Sequence, residues 1–302
     1  MKHTCIIIVG PTAVGKTALA IEVAKYFSTE IISCDSRQCF KELNIGVAKP
    51  SAEELEAVSH HFINSHSILD TVNAAVFEQY ALEKAAHIFS KQPVTVMVGG
   101  TGLYVKAFCD GIDEVPQVEV AVRTAVIEKY KTFGIEWLQQ QLKENDHTFF
   151  KSGEMQNPQR MMRALEVKLS TGRSILDFHS KHKKTRDFNI IKIGMEMPRS
   201  VLTERINKRV DTMMQDGLED EVKALVPYKE LNALQTVGYR EMFSYINNEI
   251  SLSQAIETIK INTRQYAKRQ MTWFKKDDRI QWYDWTLAEN RVKLFNHLKE
   301  LQ

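Results

Sequence analysis

The chain has no Cys-x-x-Cys pair, no run of 18 apolar residues, no Asp-x-x-Gly, no internal repeat and no low-complexity tract. Each absence removes a class. Its four cysteines, Cys5, Cys34, Cys39 and Cys109, are too scattered for a zinc ribbon or a dithiol redox centre, and predict a reducing compartment. Without a long apolar run, nothing is predicted to span a membrane. The N-terminus opens directly on a strand pattern, which leaves no room for a leader and predicts a cytoplasmic protein. A formal net charge of +2 gives no global polyelectrolyte character, so any polyanionic partner must be met by local charge. With 43% apolar and 26% charged residues over 302 positions, the composition is that of a globular chain able to bury a core.

What is present begins at residue 4. "TCIIIV" reads as a buried parallel strand, and "GPTAVGKT" follows it: Gly10, Pro11, Thr12, Ala13, Val14, Gly15, Lys16 and Thr17. The glycines permit a tight turn whose amides point at one anion, and the helix behind adds its dipole. Lys16 supplies a full charge to the terminal phosphates, and Thr17 offers a hydroxyl to Mg2+. The usual companions of this loop are missing. Guanine-reading Asn-Lys-x-Asp is approached only by "NKRVD" at 207–211, one residue out of register, which with the missing Asp-x-x-Gly argues against a GTPase. The apolar strand "PVTVMV" ends in "GGTG" rather than in the carboxylate that an ATPase places there. A P-loop kinase of a nucleoside or small metabolite stays open as the alternative.

Strand, loop and helix alternate through "EIISC" and "PVTVMV", with helical patterns "KTALAIEVAKYF", "SAEELEAV" and "AVFEQYALEKAAHIF" between them. This predicts an α/β fold, a P-loop doubly wound parallel sheet. From about 118 to 187 the pattern is helical without a convincing strand, and a strand returns at "FNIIKIGMEM". An inserted all-helical arm accounts for this, giving a first core part over 1–115, an arm over 116–187 and a second, mostly helical core part over 188–302. Ser251 and Gln254 form an expected capping box. Charge is uneven: residues 151–192 hold ten Lys/Arg against four acids, and 258–279 seven against two. Two such stretches in a nearly neutral chain favour a polyanion over solvated faces, with an affinity that falls steeply with salt.

Asp35 ends the "EIISC" strand, which is placed beside the phosphate-loop strand, so it emerges at the sheet edge where ligands bind. With Ser36, Arg37 and Gln38 behind it, it reads equally well as a helix cap or as a carboxylate beside a phosphate-bearing substrate. His60, His61 and His66 lie in a predicted loop and read as packing residues, having no metal-ligand spacing. The Met pairs at 161–162 and 213–214 read as helix packing, and Trp273, Trp282 and Trp285 as core or interface residues able in principle to stack on bases.

Eight segments in order carry a resemblance: "GPTAVGKTALA", "ISCDSRQCFKELNIGVAKPS", "HHFINS", "VMVGGTGLYVKAFCDGI", "NPQRMMRALEV", "RINKRVDTMMQDGLEDEV", "LQTVGYREM" and "TRQYAKRQMTWFKKD". Together they resemble the tRNA dimethylallyltransferase (tRNA isopentenyltransferase) family in its compact bacterial form. The chain departs from the family pattern at Cys39, Phe40, Asn44 and Val47, just past Asp35.

The resemblance implies dimethylallyl diphosphate as donor and, as acceptor, N6 of the adenosine 3′-adjacent to the anticodon in tRNAs reading U-starting codons. It implies Asp35 as general base, Arg209 or Arg205 on the diphosphate with the amides of residues 12–17, and Thr101 placing the adenosine. It assigns tRNA contacts to Asp35, Ser36, Arg37, Gln38, Thr101, Arg123, Gln159, Arg160, Met161, Met162 and Arg163. Mg2+ as cofactor, the tRNA anticodon stem-loop as partner and a monomer complete the expectation.

Overall fold

The computed structural model describes residues 3–179 and 183–299. Lys181, counted above among the cations of the first basic stretch, lies outside them. Contacts divide the chain into two compact units, residues 1–110 with 185–302, and residues 111–184. The insertion therefore begins at 111, five residues before the expected boundary, and ends at 184, three before it.

The first unit is built on six strands: β1 (Thr4–Val9), β2 (Ile31–Ser33), β3 (His60–His61), β4 (Val94–Gly99), β5 (Asn189–Glu196) and β6 (Ile280–Asp284). All pair in parallel, in the order β3-β2-β4-β1-β5-β6. Within the same unit, α1 (Lys16–Tyr26), α2 (Ala52–Ala57), α3 (Ala74–Phe89) and α4 (Gly102–Asp110) fall in the first half of the chain. The inserted unit holds α5 (Val120–Asn145), α6 (His147–Ser152) and α7 (Pro158–Thr171). The first unit resumes after β5 with α8 (Arg199–Gln215), α9 (Leu218–Ala224), α10 (Tyr239–Ile246), α11 (Leu252–Phe274) and α12 (Ala288–Lys299).

Two apolar clusters sandwich the sheet. Cys5, Ile7 and Val9 of β1 point into one with Phe77, Phe108 and Tyr239, and Ile6 and Ile8 into the other with Leu19, Val23 and Leu294. Alternate residues of one strand thus enter two cores, which is why "TCIIIV" is apolar without alternation. β1 is flanked on both sides, Thr4 lying opposite Val94 and Asn189.

Three features differ from expectation. β4 lies between β1 and β2, so Asp35 is two strands from the phosphate loop rather than next to it. β3 replaces part of the expected histidine loop, and β6 falls in a region expected to be helical. Both are edge strands, too short or too half-exposed to give a period-2 signal. In the inserted unit, Gly134 breaks α5 with φ 73° and ψ −164°, a backbone angle that suits glycine, so the two expected helices there are real. The unit has its own core of Val126, Leu138, Leu142, Met161, Met162 and Leu165, and no strand among its described residues. The expected capping box of Ser251 and Gln254 starts α11.

Candidate active site at the carboxyl edge of the sheet

Because all strands run parallel, the residues that follow β1, β4 and β2 emerge at one edge. The phosphate loop follows β1. Its turn needs left-handed backbone at Ala13 (φ 66°) and Gly15 (φ 103°), and Gly15 precedes α1, whose first two residues are Lys16 and Thr17. The amides do not all face outward. That of Thr12 donates to Gln270 Oε1 at 2.8 Å, and that of Val14 to the Pro11 carbonyl at 3.4 Å. Two amides of the expected cradle of residues 12–17, those of Thr12 and Val14, are therefore engaged within the protein.

Lys16 curls back, its Nζ donating to the Pro11 carbonyl at 2.7 Å. Burial, then the neighbouring Arg209, lower its pKa to about 8, against the opposing pull of Asp35 and Cys34. Arg209 and Arg205 lie one turn apart on α8. Arg209 Nη1 donates to Thr12 Oγ1 at 3.3 Å, and its own pKa is lowered by burial and then by Arg205. The Arg205 guanidinium reaches within 3.7 Å of the Cβ position of Gly15. Leu202 and Ile206 of α8, Ala13 of the loop and Ala267 of α11 form a small apolar cluster that fixes this arrangement. Three cations held together at mutual cost form a site organised for more than one negative charge. Arg205 and Arg209 line a cavity of about 740 Å³, whose wall also carries Lys49 and Lys208, the acids Glu54 and Asp216, and apolar Ala13 and Met213.

Asp35 follows β2. Its Oδ1 accepts from the amides of Arg37 (2.9 Å) and Gln38 (3.3 Å), so the carboxylate caps the turn of residues 36–39; the helix that the cap reading expected does not follow. Thr101 follows β4, between Asp35 and the phosphate loop. Its Oγ1 accepts from the Ser36 amide at 3.1 Å and donates to Ser36 Oγ at 3.3 Å, and Tyr266 is hydrogen-bonded to it. The placement of β4 between β1 and β2 makes this contact possible. Arg37 lies at the surface with Nη1 3.4 Å from Asn232 Oδ1. Gln38 differs from expectation: its side-chain amide donates to the carbonyls of Val47 (3.3 Å) and Ala48 (2.9 Å), which ties down the loop of residues 44–48. Glu221 holds the same loop, accepting from the amides of Asn44, Ile45 and Gly46 at 2.7–3.1 Å and from the Tyr239 hydroxyl at 2.6 Å.

Gln270 had no individual signal in the sequence. Buried on α11, it accepts from Thr12 and donates to the Gly100 carbonyl at 3.0 Å, joining the ends of β1 and β4. A Cβ on Gly100 would lie 2.0 Å from its Nε2, so residue 100 must be glycine for the clamp to form. Tyr266, Gln270 and Trp273 all lie in the family-like string "TRQYAKRQMTWFKKD", and that string was the one available clue to them. Replacing Gln270 by Leu leaves a buried amide and a buried carbonyl without partners. The expected stability loss is about 1–3 kcal/mol in urea unfolding. An unchanged midpoint would show that water serves both groups equally well.

The inserted unit places Arg123, Gln159 and Arg160 at its surface, with Arg163 half-buried. Arg160 pairs with Glu154; Arg163 lies 3.6 Å from Glu166 and donates to the Pro116 carbonyl at 3.4 Å. Burial raises the pKa of Glu166 against the pull of Arg123 and Arg163. Met161 and Met162, expected among tRNA contacts, are both buried in the core of this unit. Gln159 and Arg160, just before them on α7, are exposed.

The two basic stretches also shrink. Lys192 is buried on Asp277, and Arg186 donates to Glu78 and to the carbonyls of Ala107 and Phe108. Lys260 pairs with Asp211, Arg264 donates to Asn207, Lys275 pairs with Glu196, and Arg279 binds Asp110 and Asp277. These cations hold the fold together. Lys268, Arg269 and Lys276 have no acid within ion-pair distance among the described residues, and line a separate hollow of about 390 Å³ with Trp273.

No group of three or more His, Cys, Asp or Glu side chains among the described residues forms a metal site, and none of the described helices is long and apolar enough to cross a membrane. Comparison with known proteins agrees with the site. A family model described as IPP transferase matches residues 38–277. A tRNA dimethylallyltransferase of Christiangramia forsetii is 46% identical over 99% of this chain and 98% of its own length. One of Flavobacterium johnsoniae is 46% identical over 97% and 96%. The crystal structure of the tRNA isopentenylpyrophosphate transferase of Bacillus halodurans superposes with a TM-score of 0.72 at 33% identity, covering 99% of this chain and 96% of that one. A eukaryotic dimethylallyltransferase, captured acting on tRNA, superposes with a TM-score of 0.77 at 25% identity over 93% of this chain and 74% of that one. With a phosphate loop that has no switch aspartate, a carboxylate facing it across Thr101 and relatives matching along nearly its whole length, this chain belongs to the IPP transferase family, the family of the tRNA dimethylallyltransferases.

Proposed function

We propose that the protein transfers the dimethylallyl group of dimethylallyl diphosphate to N6 of the adenosine 3′-adjacent to the anticodon, in tRNAs that read codons beginning with U. The bond from the allylic carbon to N6 forms as the bond from that carbon to the diphosphate oxygen breaks. The electron pair leaves with diphosphate, and the N6 proton passes to Asp35. An exocyclic amine whose lone pair is delocalised into the purine needs such an acceptor at hand. The observation that carries this reading is the cluster of Lys16, Arg205 and Arg209 around the loop, gathered against their own repulsion, with Asp35 and Thr101 at the same edge.

In this reading Lys16, Arg209 and the other loop amides stabilise the departing diphosphate, and Arg205 helps seat it. Thr101, fixed by Ser36 and Tyr266, places the adenosine. The Thr17 hydroxyl at the start of α1 fits Mg2+, an ion that keeps several waters and is otherwise held by substrate phosphates, so no cluster of protein carboxylates is needed. When bound, the ion adds positive charge beside the leaving group. The acceptor base must leave its stack, at a cost of a few kcal/mol. Ser36 and Arg37 are assigned to the base and its neighbours, and Arg123, Gln159, Arg160 and Arg163 to the anticodon loop. The protein works as a cytoplasmic monomer.

One incubation tests the reading against a kinase. With unmodified tRNA, label from dimethylallyl diphosphate is expected to enter the RNA while label from the γ-phosphate of ATP enters neither RNA nor a small acceptor. Phosphoryl transfer without prenyl transfer would replace this proposal by the kinase.

A further inference from the structure

Among the four tryptophans, Trp273 alone stands open: it is 40% exposed, whereas Trp137, Trp282 and Trp285 are half-buried. Trp282 is covered by Lys275, whose Nζ lies 4.0 Å from the ring centroid, and by Gly194, whose Cβ would fall 2.6 Å from the indole. Trp273 packs its pyrrole edge against Gly102. A Cβ on Gly102 would come within 2.1 Å of its Cδ1 and Nε1, so the indole rests on the first turn of α4, one residue beyond Thr101. The remaining surface of the ring looks onto the hollow of about 390 Å³.

The wall of that hollow is a stripe of α11, Gln265, Lys268, Arg269, Thr272 and Trp273, with Lys276 just past the end of the helix. Of the four cations of this helix, Lys260 and Arg264 are tied to Asp211 and Asn207. Lys268 and Arg269 are left to face the hollow beside Lys276, with the Arg269 guanidinium 5.9 Å above the Tyr266 ring. An aromatic face between cations of one sign suits a flat, polarisable ring attached to phosphates. The stripe is also continuous with the site, because Tyr266 and Gln270 on the same helix bind Thr101, Thr12 and Gly100.

We propose that Trp273 is a stacking platform for a nucleobase adjoining the acceptor adenosine, with Lys268, Arg269 and Lys276 on the phosphates that flank it. This rests on the reading that the chain prenylates tRNA. Extruding one base leaves its neighbours without a stacking partner on one side, and an indole beside Thr101 supplies a replacement. Stacking on an aromatic side chain is tolerant of sequence, so the platform contributes affinity and position while the base edges are left to other groups.

The test uses anticodon stem-loop RNAs carrying a single abasic nucleotide at each position next to the acceptor, with prenyl transfer measured for the parent, Trp273→Ala and Trp273→Phe. In the parent, one abasic RNA is expected to lose about 10- to 100-fold in kcat/KM. Trp273→Ala should lose a similar factor on intact RNA and nothing more on that abasic RNA, and Trp273→Phe should stay within about threefold of the parent. RNA binding should also quench the intrinsic fluorescence of the parent by an amplitude that disappears in Trp273→Phe, a readout that stands even if the alanine variant does not fold. Full activity of Trp273→Ala, an undiminished abasic penalty in it, or unchanged quenching in Trp273→Phe overturns the platform. A parent enzyme that prenylates no RNA at all would instead overturn the proposed function, so the two failures are told apart.

Discussion

Asp35→Asn is expected to lose about 10²- to 10⁴-fold in kcat for prenyl transfer while its affinity for tRNA stays within about threefold of the parent. The asparagine is the sharper variant because of how Asp35 is held. Its Oδ1 accepts from the amides of Arg37 and Gln38, and an asparagine carbonyl can keep both bonds. The turn that carries Ser36 to its contact with Thr101 is then preserved, and only the acceptor for the N6 proton is removed. Asp35→Ala removes the turn contacts as well, so it should lose as much turnover and some stability. Single-turnover transfer with saturating donor separates the chemical step from product release. Turnover of Asp35→Asn within about threefold of the parent would leave the carboxylate as a turn cap and nothing else.

The parts of this site that could be read from the sequence are those whose chemistry is local. "GPTAVGKT" declares itself because a buried strand precedes it and a helix follows; Asp35 and Thr101 each follow a strand, but only the family resemblance gave them roles. The contact of Thr101 with Ser36, next to Asp35, could not be read. It depends on β4 entering the sheet between β1 and β2, and strand order is set by long-range packing that leaves no mark on a single strand. Gln270 was silent for the same reason: it lies 258 residues from Thr12 and 170 from Gly100, and a lone glutamine in a basic helix looks like surface.

Misreadings of charge have a common cause. Lys192 and Arg186 add to a positive stretch in the sequence, but both are folded inward onto acids and carbonyls. A count of charges cannot see pairing across the fold. The resemblance assigns Gln38 to RNA, and its side-chain amide donates to the carbonyls of residues 47 and 48, pairing that no local pattern announces. Met161 and Met162 share a motif with exposed Gln159 and Arg160, but both are buried in the core of the inserted unit. The edge strands β3 and β6 escaped because two residues, or five with one buried, carry too little periodicity.

The second large effect concerns Lys16. Lys16→Ala is expected to lower kcat/KM for the prenyl donor by about 10²- to 10³-fold, the scale on which one preorganised donor to a developing anion acts. The parent should show the same residue through pH. In the empty site, burial and Arg209 bring the pKa of Lys16 down to about 8, with Asp35 and Cys34 pulling the other way. A bound diphosphate favours the ammonium and drives its pKa back up. The sign follows directly. Below pH 8 Lys16 is protonated in both states and binding takes up no proton through it. Above pH 8 the free site has lost the proton that the complex retains, so binding must take one up, and donor affinity falls by up to about tenfold per pH unit. Calorimetry in buffers of different ionisation enthalpy reads the uptake directly, with dimethylallyl diphosphate as the ligand in the absence of tRNA, because a diphosphate monoester is fully ionised across this pH range. In Lys16→Ala the uptake should vanish and the affinity should become flat between pH 8 and 9.5. Proton uptake of equal size in that variant would transfer the titration to another group and would leave Lys16 a packing residue curled on Pro11.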